Sequence, residues 1–121
     1  MPKRILAADD SVSMRQVVKL TLSEAGYDVI EAVDGRDALN KLTEGPVSLI
    51  VTDLNMPNLN GVDLIKAVRA NPAYRLTPIL MVTTESGDDK KSLGKAAGAT
   101  GWVVKPFKAE QLVAVVKKLI G

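Results

Sequence analysis

The chain has 121 residues, 46% apolar and 25% charged, with a net charge of +2; this suits one domain with an ordinary core and implies no nucleic-acid or membrane-surface partner. Cysteine and histidine are both absent, which excludes disulfides, thiolate nucleophiles, imidazole acid–base catalysis and thiolate or imidazole metal sites. No apolar run approaches the roughly 18 residues that span a bilayer, and Ile5 to Ala8 after the basic start Met1-Pro2-Lys3-Arg4 is too short for a signal-peptide core, so a cytoplasmic single domain over 1–121 is expected.

Lys3 to Ala8 reads as a first strand. Met14, Val17, Val18, Leu22 and Ala25 recur at helical spacing, and Gly26 ends that helix. Tyr27 to Ala32 is a second strand, less apolar and so placed at an edge. Asp34-Gly35 is read as a turn, Ala38, Leu39 and Leu42 mark a short helix, and Gly45-Pro46 breaks it. Leu49-Ile50-Val51 is a buried strand that runs into Asp53. Val62, Ile65 and Val68 mark a third helix, closed before Asn71-Pro72. Ile79 to Val82 is a fourth strand. Leu93, Ala96 and Ala97 mark a fourth helix, weakened at Gly94 by about 1 kcal/mol relative to alanine. Trp102-Val103-Val104 is a fifth strand, and Leu112, Val115, Val116, Leu119 and Ile120 stripe a closing helix. Five strand–helix repeats imply an α/β fold: one doubly wound, five-stranded parallel sheet with helices on both faces.

In such a sheet the strand C-termini meet at one edge, where ligands bind. Those ends carry Asp9-Asp10, Asp53, Thr83 and Lys105. Each has an ordinary reading: Asp10 as a helix cap, Asp53 as a turn residue, Thr83 as a strand residue, Lys105 as a solvated cation. Their convergence on one edge outweighs those readings. Three close carboxylates repel unless a counter-charge is present, and an oxygen-only donor set favours Mg²⁺, with Mn²⁺ as a substitute. A carboxylate beside such a cation, a hydroxyl and a lysine is suited to attack phosphorus and form an aspartyl phosphate.

Asp9-Asp10-Ser11, Asp53 with Asn55-Met56-Pro57 and Gly61, Thr83, and Lys105-Pro106-Phe107 together resemble the response-regulator receiver family over the whole chain. The resemblance implies a flavodoxin-like fold with strand order 2-1-3-4-5. It implies a two-component signalling role, in which Asp53 accepts a phosphoryl group from the phosphohistidine of a sensor histidine kinase or a histidine phosphotransfer domain. Asp10, Asp53 and the backbone carbonyl of Asn55 would hold Mg²⁺, with Asp9 assisting through water. Thr83 and Lys105 would contact the phosphoryl group, and Thr83 and Trp102 would form the switch. Lys105-Pro106 is expected to be cis. The output surface would be the fourth helix, fifth strand and fifth helix, where Lys90, Lys91, Lys95 and Lys108 would favour an acidic partner segment.

Within the family the motifs, with Glu85 two places after Thr83, are most similar to the stand-alone chemotaxis receivers. The expected partners are therefore a kinase, a protein output target such as the flagellar motor switch, and a phosphatase, with no nucleic acid and no membrane; the chain itself is expected to be a monomer. A phosphorelay intermediate or another single-domain receiver is the alternative. Thr84 stands where a small residue is usual and is expected to crowd the phosphoryl site, and Trp102 is larger than the usual tyrosine or phenylalanine. A phosphohydrolase of the haloacid-dehalogenase type would need an acid–base aspartate at position 55, where Asn55 stands. A flavin carrier would meet repulsion from the aspartate pair at its phosphate site.

Overall fold

Strands that are apolar at consecutive positions need cover on both faces, and the computed structural model, which describes residues 2–121, shows both faces covered. In chain order the elements are β1 (Arg4–Ala8), α1 (Val12–Glu24), β2 (Asp28–Ala32), α2 (Gly35–Leu42), β3 (Leu49–Thr52), α3 (Gly61–Ala70), β4 (Ile79–Thr83), α4 (Asp88–Ala97), β5 (Gly101–Val104) and α5 (Ala109–Ile120). All five strands are parallel, in the order β2-β1-β3-β4-β5. The α/β class, the expected order and the edge position of the second strand therefore hold. Met1 of the expected 1–121 domain lies outside the described residues.

Strand side chains alternate between faces, and the core divides accordingly. Ile5, Ala7, Leu49, Val51, Leu80 and Val82 pack with Val18 and Leu22 of α1 and Leu112 and Val116 of α5. Leu6, Ala8, Ile50, Ile79 and Met81 pack on the other face with Ala38 and Leu42 of α2 and Leu64, Ile65 and Val68 of α3. Among the described residues no helix is long and apolar enough to cross a membrane.

Register decides which strand ends meet. Ala8 is level with Thr52, so Asp9 and Asp53 emerge side by side. The ladder continues one step past the strands: the Asp9 N–H donates to the Ala32 carbonyl (3.1 Å) and the Asp53 N–H to the Ala8 carbonyl (3.0 Å). Thr52 is level with Met81, so Thr83 reaches one step further than Asp53. Thr83 is level with Val104, and the Lys105 N–H donates to the Thr83 carbonyl at 2.8 Å. The chain leaves β1 outward to β2 and returns on the other side as β3. That reversal is a switch point, where a crevice opens at the carboxyl ends.

Several local readings need correction. Asp34-Gly35 is not a free turn: Asp34 caps α2, its Oδ1 accepting the Asp37 N–H at 2.8 Å, and Gly35 is the first helical residue. The ordinary reading of Asp10 as a helix cap also falls away: Ser11 caps α1, accepting the Met14 N–H. Val17 and Leu93, read as inward, are 46% and 56% exposed. On α1 the buried face follows Val18 and Leu22, and Val17 falls about 100° from it. On α4 the buried contact is Gly94, which lies against the Trp102 ring. An added Cβ there would stand 2.6 Å from Trp102 Cζ3, so glycine is needed where a helix former would be stronger. The first two strands also begin one residue later than expected, at Arg4 and Asp28.

Candidate functional site

Asp9, Asp10 and Asp53 each offer a carboxylate oxygen within 4.8 Å of the others. They differ in environment. Asp9 is 5% exposed, Asp10 is exposed and Asp53 lies between. Lys105 Nζ stands between two of them, 2.8 Å from Asp9 Oδ2 and 3.3 Å from Asp53 Oδ2. It is carried back over the edge by the turn after β5, where Lys105-Pro106 is cis as expected. Asp9 Oδ1 accepts the Ser11 N–H at 2.9 Å, and Asp53 Oδ1 accepts the Leu54 N–H at 2.7 Å. Asp10 is left facing solvent beside them.

Three carboxylates and one ammonium leave two negative charges. A divalent cation equals that surplus in size and is opposite in sign, and carboxylate and carbonyl oxygens are the ligands Mg²⁺ takes. The residues present therefore fit the metal. The Asn55 carbonyl belongs to the loop that leaves Asp53, and that loop is held close by Gly61. The Gly61 N–H donates to the Leu54 carbonyl at 2.8 Å, and an added Cβ would overlap the Asp53 carbonyl oxygen.

Thr83 is fully buried at the end of β4. Its Oγ1 accepts the Glu85 N–H at 3.3 Å. The Glu85 carbonyl accepts the Trp102 Nε1–H at 2.9 Å, and Glu85 Oε1 accepts the Asn55 Nδ2–H at 3.3 Å. Glu85 thus joins the end of β4, β5 and the loop after β3: one backbone group on Thr83, the other on Trp102, and the side chain on Asn55. Thr84 is exposed.

Sequence reasoning found the strand-end residues and missed their supports. Arg15 Nη1 donates to the Asp9 carbonyl at 2.7 Å, and its Nε donates to Glu31 Oε1 at 3.3 Å. Asp34 is nearly buried beside the site, where its Oδ2 accepts the Asn58 Nδ2–H at 2.7 Å. The Asp37 N–H, followed by the Asn58 amide, holds its carboxyl below the usual carboxylate range. Asn58 adopts a left-handed backbone (φ 67°), a conformation in which asparagine is enriched among non-glycine residues.

The response regulator receiver domain family matches residues 5–117. Chemotaxis protein CheY1 of Helicobacter pylori is 40% identical over 120 residues, covering 98% of this chain and 97% of that protein. Among solved structures, Vibrio cholerae chemotaxis protein CheY4 has a TM-score of 0.94 at 48% identity, covering 98% of this chain and 99% of that one. The receiver domain of a sensor histidine kinase from Pseudomonas aeruginosa, solved with a magnesium ion coordinated in its active-site cleft, has a TM-score of 0.92 at 26% identity, covering 100% of this chain and 99% of that one. The chain belongs to the response regulator receiver family and is a two-component response regulator, with phosphoryl transfer as the family's general chemistry.

Proposed function

We propose that Asp53 is the phosphoryl acceptor of a chemotaxis receiver, charged by a histidine kinase or phosphotransfer domain and read by a protein target at the motor. The observation that carries this is the lysine bridging a buried and a part-exposed carboxylate beside an exposed third one. An Asp53 oxygen would bond to phosphorus as the P–N bond of the donor phosphohistidine breaks, the electron pair staying on the imidazole nitrogen. Asp10, Asp53 and the Asn55 carbonyl would hold Mg²⁺, with Asp9 contributing through water; the ion, when bound, supplies charge neutralisation for the phosphoryl oxygens. Lys105 turns from the carboxylates to a phosphoryl oxygen, and the Thr83 hydroxyl hydrogen-bonds another.

The same move operates the switch. Moving toward the phosphoryl group to donate to it draws the Thr83 hydroxyl away from the Glu85 N–H that it accepts. Trp102 follows, because its indole N–H is held by the carbonyl of that same residue. Asn55 supports a persistent intermediate: its amide is turned to Glu85 and, in any orientation, is no proton-transfer group. The protein is thus a phosphoacceptor with self-catalysed transfer and slow self-dephosphorylation, working in the cytoplasm as a monomer.

Incubation with acetyl phosphate and Mg²⁺ is expected to add one phosphoryl group by intact mass. Asp53→Asn is expected to abolish that labelling, and chelation of the metal to suppress it in the parent. Equal labelling of the variant would place the acceptor elsewhere.

A further inference from the structure

Asp10, the exposed carboxylate of the acidic cluster, has no backbone ladder of its own to fix where it points. The constraint comes through the residue before it. Asp9 is held on both backbone groups: its N–H donates to the Ala32 carbonyl at 3.1 Å and its carbonyl accepts Arg15 Nη1 at 2.7 Å. The Asp9 carbonyl lies in the same planar unit as the Asp10 nitrogen and Cα. Fixing that oxygen therefore fixes the origin of the Asp10 side chain.

Arg15 is an unexpected residue for its place. It stands four positions after the α1 N-cap Ser11, in a helix with no acidic residue in its first turn. A cation there opposes the helix dipole, so the side chain must be held by specific partners. Its side chain is only 11% exposed, and Nε reaches Oε1 of Glu31 on β2 at 3.3 Å, while Lys19 Nζ approaches the other oxygen, Oε2, at 3.4 Å. Arg15 lines a small cavity of about 10 Å³ with Asp9, Asp53 and Thr52, directly beneath the acidic cluster. Glu31 aims the guanidinium, and the guanidinium aims the Asp9–Asp10 peptide.

We infer that Arg15 is a positioning residue for metal binding: through the Asp9 carbonyl it holds Asp10 in place to share a divalent cation with Asp53. The inference rests on the metal site proposed above. It makes a prediction opposite in sign to simple electrostatics. A guanidinium near a dication repels it, so if charge alone mattered, removing it would tighten binding. If positioning matters, removing it weakens binding although a like charge has gone.

The test is Mg²⁺ titration by calorimetry on the parent, Arg15→Gln, Arg15→Lys and Glu31→Gln, with folding of each followed by circular dichroism. Groups that orient a metal ligand typically contribute ten- to hundredfold in affinity. Arg15→Gln is expected to bind about tenfold more weakly, Arg15→Lys to recover part of that as a cation with a single donor head, and Glu31→Gln to lose a few-fold. Equal or tighter binding by folded Arg15→Gln overturns the inference. Should Arg15→Gln not fold, unchanged affinity in both Arg15→Lys and Glu31→Gln overturns it. A parent that binds no Mg²⁺ overturns the metal site itself, a separate result visible before any variant is made.

Discussion

At the amino edge of the sheet, two polar side chains end on backbone. The Tyr74 hydroxyl sits between the carbonyls of Leu42 and Gly45, at 2.7 and 2.8 Å. The Arg69 guanidinium donates to the carbonyls of Gly98, Thr77, Arg75 and Tyr74, joining the end of α3 and the loop after it to the C-cap of α4. At the carboxyl edge of the same sheet, Asp9, Asp10 and Asp53 crowd together, with Lys105 bridging Asp9 and Asp53. One edge satisfies these two side chains internally and gains stability. The other keeps an unbalanced cluster, which costs stability and supplies a site for a cation and a phosphoryl group.

Removing a carboxylate from the open edge gives the largest expected effect. Asp10→Ala should weaken Mg²⁺ binding by roughly a hundredfold or more, since even residues that only support a ligand contribute ten- to hundredfold. In chelator, the same variant should be at least as stable as the parent, because a like-charge neighbour is gone. Calorimetry and thermal melts measure the two halves. Undiminished affinity, or a large loss of stability without metal, would erase the contrast between the edges.

Arg69→Leu tests the closed edge. It strands several carbonyls at once, and a hydrogen bond from a charged donor contributes about 1.5–3 kcal/mol. Partial solvent access to the guanidinium reduces the total, so a loss of about 2 kcal/mol is expected. Burial lowers the Arg69 pKa, but the group stays charged at any working pH. Urea unfolding gives the loss; acetyl phosphate labelling below the melting temperature should be unchanged. Lost labelling in a folded variant would show that the two edges are coupled.

A smaller effect is expected where α4 meets β5. Gly94→Ala gains about 1 kcal/mol of helix propensity, yet the new methyl would lie 2.6 Å from the Trp102 ring. Overpacking costs about 1–3 kcal/mol, so a net loss of about 1 kcal/mol is expected, with altered emission from Trp102, the only tryptophan. A more stable variant with unchanged emission would show that the ring moves freely.

The carboxyl edge was legible in the sequence because each of its residues lies within two places of the end of an apolar run. Parallel strands then bring Asp9, Asp53, Thr83 and Lys105 together whatever the loops do. The amino edge was not legible, because Arg69 and Tyr74 bond to carbonyls, and carbonyls carry no residue identity. Arg15 escaped for the same reason. Leu93 misled because period alone cannot show that a neighbouring tryptophan takes the space a leucine would fill. Asp34 misled because Asp-Gly signals a turn as readily as a cap followed by the first helical residue.

Asp34 is the exception at the carboxyl edge, a nearly buried carboxylate whose partners are complete, and it gives the smallest expected effect. Asp37 N–H and Asn58 Nδ2–H both donate to it, at 2.8 and 2.7 Å. Asp34→Asn keeps an oxygen for the cap, and asparagine and aspartate cap about equally well. With the Asn58 amide turned over, so that its oxygen accepts from the new amide nitrogen, what remains is the charge at the start of α2, which contributes about 0.3–1 kcal/mol. The sign of its pH dependence follows from the lowered pKa, caused first by the Asp37 N–H. The folded-state value lies below the reference of 3.8, so the unfolded chain takes up the proton first as pH falls. The stabilisation is therefore complete above that reference and lost as pH drops through the folded-state value. Urea unfolding of parent and variant should show a constant small gap at neutral pH that closes only in acid below 3.8. A gap that is flat through that range, or that widens in acid, would mean that the Asp34 charge is not what the helix start and Asn58 recognise.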